Sequence, residues 1–393
     1  MSNDVVILGA ARTPQGRIKG QLGTFSAVEL GAIAIRAAVE RSGVDPSAVD
    51  FVIMGHVLQA GAGQNPSRQA AVAAGLGWNV PTTTTNRVCL SGLSAVIDAA
   101  RLIRAGEASV VVAGGQESMT NAPHLLQGSR AGWAYGTISA LDHAAHDGLT
   151  DAFDAVSMGE STERHVSELG LTRADQDEIA AASHQRAAAA ATAGLFDAEI
   201  APVDVVGRKG DTTRLTADEG VRPDSTVESL ARLRPAFAAD GTITAGNSSP
   251  LSDGASALVL TSRDYAEANG LSWLAVVEVA GQVAGPDNSL HSQPSRAIDA
   301  ALTKAGWSAG DLDFVEINEA FAAVALQSSR DLGIAADIVN IHGGAIAIGH
   351  PIGASGARLV THAAHELSRR GGGRAAVALC GGGGQGDALL LSL

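Results

Sequence analysis

The sequence predicts an α/β protein assembled from two similar halves, and three observations carry that prediction. First, apolar runs of the buried-strand type, such as Phe51-Val52-Ile53-Met54-Gly55, alternate with segments of helical apolar spacing. Second, the last third of the chain repeats the first. Ser47-Ala48-Val49-Asp50-Phe51-Val52-Ile53 has a counterpart in Gly310-Asp311-Leu312-Asp313-Phe314-Val315-Glu316-Ile317, and Ser91-Gly92-Leu93-Ser94-Ala95-Val96 in Ser355-Gly356-Ala357-Arg358-Leu359-Val360. Val110-Val111-Val112-Ala113-Gly114-Gly115 likewise matches Ala376-Val377-Ala378-Leu379-Cys380-Gly381, and Phe to Ser spans 40 residues in one half and 41 in the other. Third, 47 glycines and only 3% aromatics, within 46% apolar residues, imply large cores in which backbones approach over small side chains. Two repeats are too few for a solenoid, so two packed halves are expected, with the Ser-Gly helices central.

Taken in order, residues 5–8 form a strand that opens into Gly9-Ala10-Ala11-Arg12-Thr13-Pro14-Gln15-Gly16. A strand and glycine turn hints at dinucleotide binding, but G-x-G-x-x-G is absent and Pro14 blocks an immediate helix. Residues 26–41 read as a helix carried by Val28, Leu30, Ile33, Ile35 and Ala38. A strand at 51–55, helices at 64–74 and 93–103, and a strand at 109–115 follow, a pattern that indicates α/β units on a mostly parallel sheet. Residues 121–250 are more polar and irregular, with one long helix beginning at the N-cap pattern Thr172-Arg173-Ala174-Asp175. This stretch reads as an insertion over the core. Strands resume at 256–260 and 275–279.

Composition excludes several functions. A net charge of −14 opposes nucleic-acid binding, which needs phosphate-neutralising basic residues. No apolar run reaches the ~18 residues of a membrane span. The start Met1-Ser2-Asn3-Asp4 lacks the basic and apolar character of a targeting peptide, and the end Leu391-Ser392-Leu393 is not the peroxisomal tripeptide, so a cytoplasmic enzyme is expected. The only two cysteines lie 291 positions apart, which makes neither a disulfide framework nor a metal-ligand pair, and no zinc-helix spacing occurs. No metal is expected.

The candidates for chemistry start with Cys89, in Asn86-Arg87-Val88-Cys89-Leu90-Ser91-Gly92 ahead of a helix. Unpaired N–H groups and the dipole at a helix start favour thiolate, the reactive form. An isolated cysteine is nonetheless more often a structural thiol. Cys380 abuts Gly381-Gly382-Gly383-Gly384-Gln385-Gly386, where glycines let backbone N–H groups face a ligand. No Lys-Ser/Thr follows, which excludes a P-loop. His350 sits in Gly349-His350-Pro351-Ile352-Gly353, and Pro351 biases it toward extended geometry. His342 and His362 are its nearest competitors; the other histidines fall mostly in helical or polar contexts. Asn318 ends a strand in Asn318-Glu319-Ala320-Phe321, either as a turn former or as an amide that orients a water or an oxyanion. A nucleophile, an imidazole base, a second thiol and an amide make up the inventory of acyl transfer through a thioester.

These four motifs, Val88-Cys89-Leu90-Ser91-Gly92-Leu93, Asn318-Glu319-Ala320-Phe321, Gly349-His350-Pro351-Ile352-Gly353 and Cys380-Gly381-Gly382-Gly383-Gly384-Gln385-Gly386, resemble in order and spacing those of the thiolases. Residues 9–16, 63–70 and 147–153 resemble thiolase segments too, so the likeness covers nearly the whole chain. It implies a thiolase fold, with duplicated α/β half-domains in a five-layered αβαβα core. Residues 1–120 plus 250–272 would form the N-terminal half, 121–249 a loop domain for coenzyme A binding and oligomer contacts, and 273–393 the C-terminal half.

The resemblance also implies roles. Cys89 would become acylated as His350 takes its proton, and Cys380 would shuttle the α-proton of the second substrate. Asn318 through a water, together with His350, would hold the incoming thioester oxygen. The N–H groups of Cys89 and Gly382 would form a second oxyanion hole, where one lost donor costs about 10²–10³ in rate. Met158, Arg222, Ser229, Phe237, Ala245, Ser248 and Ser249 match the family's coenzyme A contacts. No cofactor would be bound permanently; the implied substrates are acetyl-CoA, acetoacetyl-CoA or longer 3-ketoacyl-CoA, and CoA. The implied reaction is reversible condensation of two acetyl-CoA through an acyl-cysteine. Residues 121–145 resemble the region that builds tetramers, so a homotetramer is expected.

Departures from the family keep a degradative 3-ketoacyl-CoA thiolase of broader chain length open. Ser157 precedes Met158-Gly159 where short-chain thiolases commonly have His, Gln116 stands where many have Met, and Asn247-Ser248-Ser249-Pro250 has a degradative flavour. Two more distant readings exist. A thiol redox protein would leave Asn318 and His350 unexplained, and a nucleotide-binding oxidoreductase would lack its fingerprint.

Overall fold

The computed structural model describes residues 4–207 and 210–393; the reading of Met1-Ser2-Asn3 as lacking a targeting peptide lies outside them. The first half opens with strand β1 (Val5–Arg12), buried throughout, and helix α1 (Ala27–Ser42). Ser26 caps α1 in a capping box with Glu29, and Gly43 ends it in the left-handed region. Its buried stripe runs through Leu30, Gly31, Ala34, Ile35 and Ala38, while Val28 and Ile33 only flank the core. Strand β2 (Phe51–Gly55), helix α2 (Pro66–Ala73), strand β3 (Thr82–Thr85), helix α3 (Ser91–Arg104) and strand β4 (Val110–Ser118) follow.

Helices α4 (Met158–Val166) and α5 (Arg173–Thr192) come from the polar middle of the chain. The Thr172 pattern forms a full capping box with Asp175. Strands β5 (Ser252–Ser262) and β6 (Ala275–Ala284) then return to the core, followed by helix α6 (Gln293–Ala305), strand β7 (Phe314–Ile317), helices α7 (Ala322–Leu332) and α8 (Ser355–Arg370), and strands β8 (Arg374–Gly381) and β9 (Gln385–Ser392).

The strands join in one ten-stranded sheet ordered β3-β2-β4-β5-β1-β6-β9-β8-β7, with the short strand Gly16–Arg17 off this path. The order is palindromic in the repeat: β2 pairs parallel with β4 as β7 does with β8, and β4 antiparallel with β5 as β8 does with β9. Among the described residues, three pairs, Val5 to Ile7 against Val277 to Ala275, join the two half-sheets. The mostly parallel sheet expected from the alternation does not hold, because five of the eight neighbouring pairs are antiparallel. Helical crossovers make the parallel pairs, whereas β9 turns straight back beside β8 and β5 comes back beside β4 after the long middle region.

Alternate strand residues divide between two faces. Val5, Ile7, Val111, Leu258, Val377 and Leu389 pack on α3 and α8. Val6, Val52, Val110, Val112 and Val259 face α1 and α2, and Val315, Ile317, Ala376 and Leu390 face α6 and α7. This is the αβαβα layering, and strands covered on both sides read as unbroken apolar runs for that reason. Among the described residues no helix is long and apolar enough to cross a membrane.

One core position conflicts with its surroundings. Gln116 on β4 is fully buried against Gly31 of α1, and neither end of its amide has a hydrogen-bond partner among the described residues. A buried polar group without a partner costs about 1–3 kcal/mol, and Met has nearly the same shape. Gln116→Met is therefore expected to stabilise the protein by about 1–3 kcal/mol in urea unfolding. A lower unfolding midpoint would show that the amide is satisfied.

Candidate active site

Cys89 sits in a tight turn between β3 and α3. Val88 before it has φ 52°, a left-handed conformation that is costly for a β-branched residue. Three hydrogen bonds involving side chains hold the turn. Val88 N donates to Asn86 Oδ1 (2.9 Å), Arg87 N to Ser91 Oγ (2.8 Å), and Ser91 Oγ to Val88 O (2.6 Å). Arg87 then reaches into the other half, to Asp387 (2.5 Å) and Gln385 (3.2 Å) on β9, tying the Cys89 turn to the hairpin that carries Cys380.

Cys380 is the last residue but one of β8, buried, opposite Gly386. Gly381 lies so close to Leu90 that an added Cβ would be 2.6 Å from Leu90 Cγ, so the two cysteine turns touch directly. Gly383 and Gly384 take left-handed φ values of 78° and 67°, which turn the chain into β9. The backbone N–H groups of Cys89 and Gly382 act on the Cys89 sulfur in the sense that favours its ionisation. The predicted oxyanion donors thus surround the thiol.

Burial nevertheless pushes the Cys89 thiol up to about 12, and the charge of Glu117 adds to the rise that those two N–H groups oppose. Thiolate favoured by the helix start is therefore not the resting state: desolvation outweighs the dipole. Cys380 is likewise raised well above the ordinary thiol range, first by burial and then by Cys89. His350, held down to about 3 by burial and by Arg358, is neutral. Its backbone N–H donates to Ser252 Oγ (3.0 Å), and its Nδ1 lies 2.6 Å from Ser355 Oγ. The Asn318 Nδ2 stands 3.5 and 3.4 Å from the two ring nitrogens, a near-equidistance that makes a contact rather than a directed bond. The Asn318 Oδ1 is buried and has no protein partner among the described residues.

Cys89, His350, Cys380 and Gly382 line one cavity of about 560 Å³. Met158, Phe237, Ala245, Ser248 and Ser249 line it as well. Arg222 and Ser229, expected with them, do not. Both are exposed, and Ser229 Oγ donates to Thr226 O (2.8 Å) within a short capped helix. Asn318 lies behind the wall, reaching the cavity only through His350. Ser157 caps α4 through Glu160 N and also lines the cavity.

Sequence reasoning passed over several residues. Glu117 is fully buried on β4 and accepts N–H bonds from Val57 (3.1 Å), Leu58 (3.1 Å) and, across the halves, Gly353 (3.0 Å). Burial raises its carboxyl to about 7 against those bonds. A carboxylate in an otherwise apolar buried strand was the available signal. Met119, Leu149 and Ile352 form the apolar wall beside Cys89. Among the other histidines, His56, His143, His184, His291 and His362 are buried. His342 and His362 pair at 3.1 Å, and His362 bonds Glu199 (2.8 Å), away from the cavity.

Comparison with known proteins adds to this geometry. Residues 5–264 match the family model described as thiolase, N-terminal domain, and residues 271–393 match thiolase, C-terminal domain. The chain is 56% identical over 391 residues to a probable acetyl-CoA acetyltransferase of Mycobacterium tuberculosis, covering 100% of this chain and 99% of the relative. It is 48% identical over 386 residues to an acetyl-CoA acetyltransferase of Cupriavidus necator, covering 98% of each. The crystal structure of the Bacillus anthracis acetyl-CoA acetyltransferase superposes with a TM-score of 0.96 at 40% identity, covering 100% of both chains.

Proposed function

The chain belongs to the thiolase family, and from that premise we propose that it is an acetyl-CoA C-acetyltransferase, condensing two acetyl-CoA to acetoacetyl-CoA and CoA or running the reverse. The observation that carries this reading is the convergence of Cys89, His350 and Cys380 on one cavity, from both halves of the repeat. The Cys89 proton passes to His350 as sulfur attacks the acetyl carbonyl, and the departing CoA sulfur takes that proton away. Cys89 then carries the acetyl group, and its N–H with that of Gly382 stabilises the oxyanion. Asn318 holds the second thioester oxygen through a water, beside His350. Cys380 carries the α-proton of the second acetyl-CoA to Cys89 as the carbon–carbon bond forms and the acyl–sulfur bond breaks.

Coenzyme A would lie along Met158, Phe237, Ala245, Ser248 and Ser249, with Arg222 and Ser229 meeting its outer end. The division into halves 1–120 plus 250–272 and 273–393, with 121–249 as loop domain, accords with the return of β5 to the first half-sheet. A cytoplasmic homotetramer is part of the same reading. It is supported by Leu126, Trp133, Tyr135 and Ile138, large apolar side chains exposed within 121–145. Sedimentation velocity should give a four-chain particle; a dimer would reject the tetramer.

Brief exposure to acetyl-CoA followed by peptide mass mapping tests the chemistry: an acetyl group is expected on the Cys89 peptide, and its absence there would defeat the acyl-transfer reading. One observation favours a second reading. Ser157, Gly148 and an apolar wall leave space beside Cys89, which suits longer 3-ketoacyl chains. Thiolysis rates against chain length decide, with a sharp maximum at four carbons expected for the acetyltransferase.

A further inference from the structure

Each central helix opens on a Ser-Gly pair, and in each half the serine hydroxyl is bonded into the turn that carries the reacting group. Ser91 is the clear case. Its Oγ accepts the Arg87 N–H at 2.8 Å, and an N–H can only donate. The Ser91 proton must then lie toward Val88 O, 2.6 Å away, and the turn holding Cys89 is closed from both ends.

Ser355 occupies the equivalent place in the second half. Its Oγ is 3.0 Å from Pro351 O and 2.6 Å from His350 Nδ1. A carbonyl oxygen can only accept, so the hydroxyl proton directed at Pro351 leaves a lone pair facing the imidazole. Nδ1 must in that case carry the proton of the neutral ring, and Nε2 keeps its lone pair. The opposite arrangement would set two acceptors, Oγ and Pro351 O, against each other at 3.0 Å.

We propose that Ser355 is the positioning residue that fixes the His350 proton on Nδ1, so that Nε2 is the bare nitrogen that receives the Cys89 proton, with Ser91 as its counterpart for the Cys89 turn. The proposal rests on His350 acting as the base for Cys89. In the transfer the S–H bond breaks and an Nε2–H bond forms. The ring becomes an imidazolium whose Nδ1–H still points at Oγ, a bond strengthened by the charge. Departing CoA sulfur takes the proton back from Nε2, and the ring returns to its starting tautomer. A carboxylate behind the ring, as in the serine-protease triad, would hold the imidazolium more firmly. A neutral hydroxyl orients the ring without retaining its proton, which suits a base that must release that proton to a thiolate.

Nitrogen-15 NMR of protein labelled at histidine reads the tautomer directly. Of the 11 histidines, the one whose signals vanish in His350→Asn is expected to show a protonated Nδ1 and an unprotonated Nε2 at neutral pH. The reverse assignment would overturn the proposal, and this arm does not depend on Ser355→Ala folding. Rapid-quench acetylation of Cys89 supplies the second arm. Ser355→Ala is expected to slow it about 10- to 100-fold, with half-saturation by acetyl-CoA changed less than about twofold. A wild-type rate in Ser355→Ala, or an equal loss of rate and binding, would also overturn it. Failure of wild-type Cys89 to acetylate at all would instead reject the acyl-transfer reading and leave the tautomer measurement standing.

Discussion

Replacing Cys380 with Ser is expected to divide the reaction, leaving acetylation of Cys89 near its wild-type rate while carbon–carbon bond formation falls by about 10²–10⁴. The first half-reaction needs the Cys89 thiol, the neutral His350 and the two N–H groups at the sulfur, none of which involves the Cys380 side chain. The second half-reaction needs a group that takes a proton from carbon. Burial already makes the Cys380 thiol hard to ionise, and a serine hydroxyl in that place is far harder still. Cys89→Ala is expected to behave oppositely, with no adduct and no turnover in either direction. Rapid-quench mass spectrometry follows the adduct, and acetoacetyl-CoA absorbance follows condensation. A Cys380→Ser enzyme that condenses within about tenfold of wild type would remove Cys380 from the proton path.

The split between the two cysteines also marks what a linear reading can reach. The Ser-Gly repeat and the caps at Ser26 and Thr172 are local patterns, and each stands where the sequence places it. The four motifs were legible because their residue types are rare in such contexts, and the fold brings all four to one cavity wall, the second through Ala320 and Phe321 with Asn318 itself behind His350. What escaped depends on distant partners. The antiparallel pairs of β5 and β9 are set by which strands they return to, which no local pattern encodes. The neutral state of Cys89 follows from desolvation by both halves together, whereas the dipole argument sees only its own helix. Glu117 bonds Gly353 across 236 positions, and nothing near Glu117 in the chain announces that partner.

Central packing yields the largest expected effect on stability. At the crossing of α3 and α8, a Cβ on Gly356 would lie 2.3 Å from Leu93 N and 2.9 Å from Leu93 Cα, and one on Gly92 would lie 2.8 Å from Ala357 N. The contacts are reciprocal and the obstructing atoms are backbone, so rotamer changes give no relief. Gly356→Ala is expected to cost about 3 kcal/mol, at the upper end of overpacking, because one central helix must shift. Catalysis should suffer with it. Cys89 lies two residues before the first residue of α3, and Ser355, the partner of His350, is the first residue of α8. A displacement of about 1 Å between those helices is enough for a rate loss on the order of 10². Gly310→Ala is the control: its Cβ would meet nothing closer than Ser308 Oγ at 3.8 Å, so a change within about 0.5 kcal/mol is expected. Urea unfolding and the Cys89 acetylation rate, measured on both variants, read the two effects separately. If Gly356→Ala unfolds and acetylates like Gly310→Ala, α3 and α8 do not meet at these glycines, and the duplicated Ser-Gly pair would serve its serines alone.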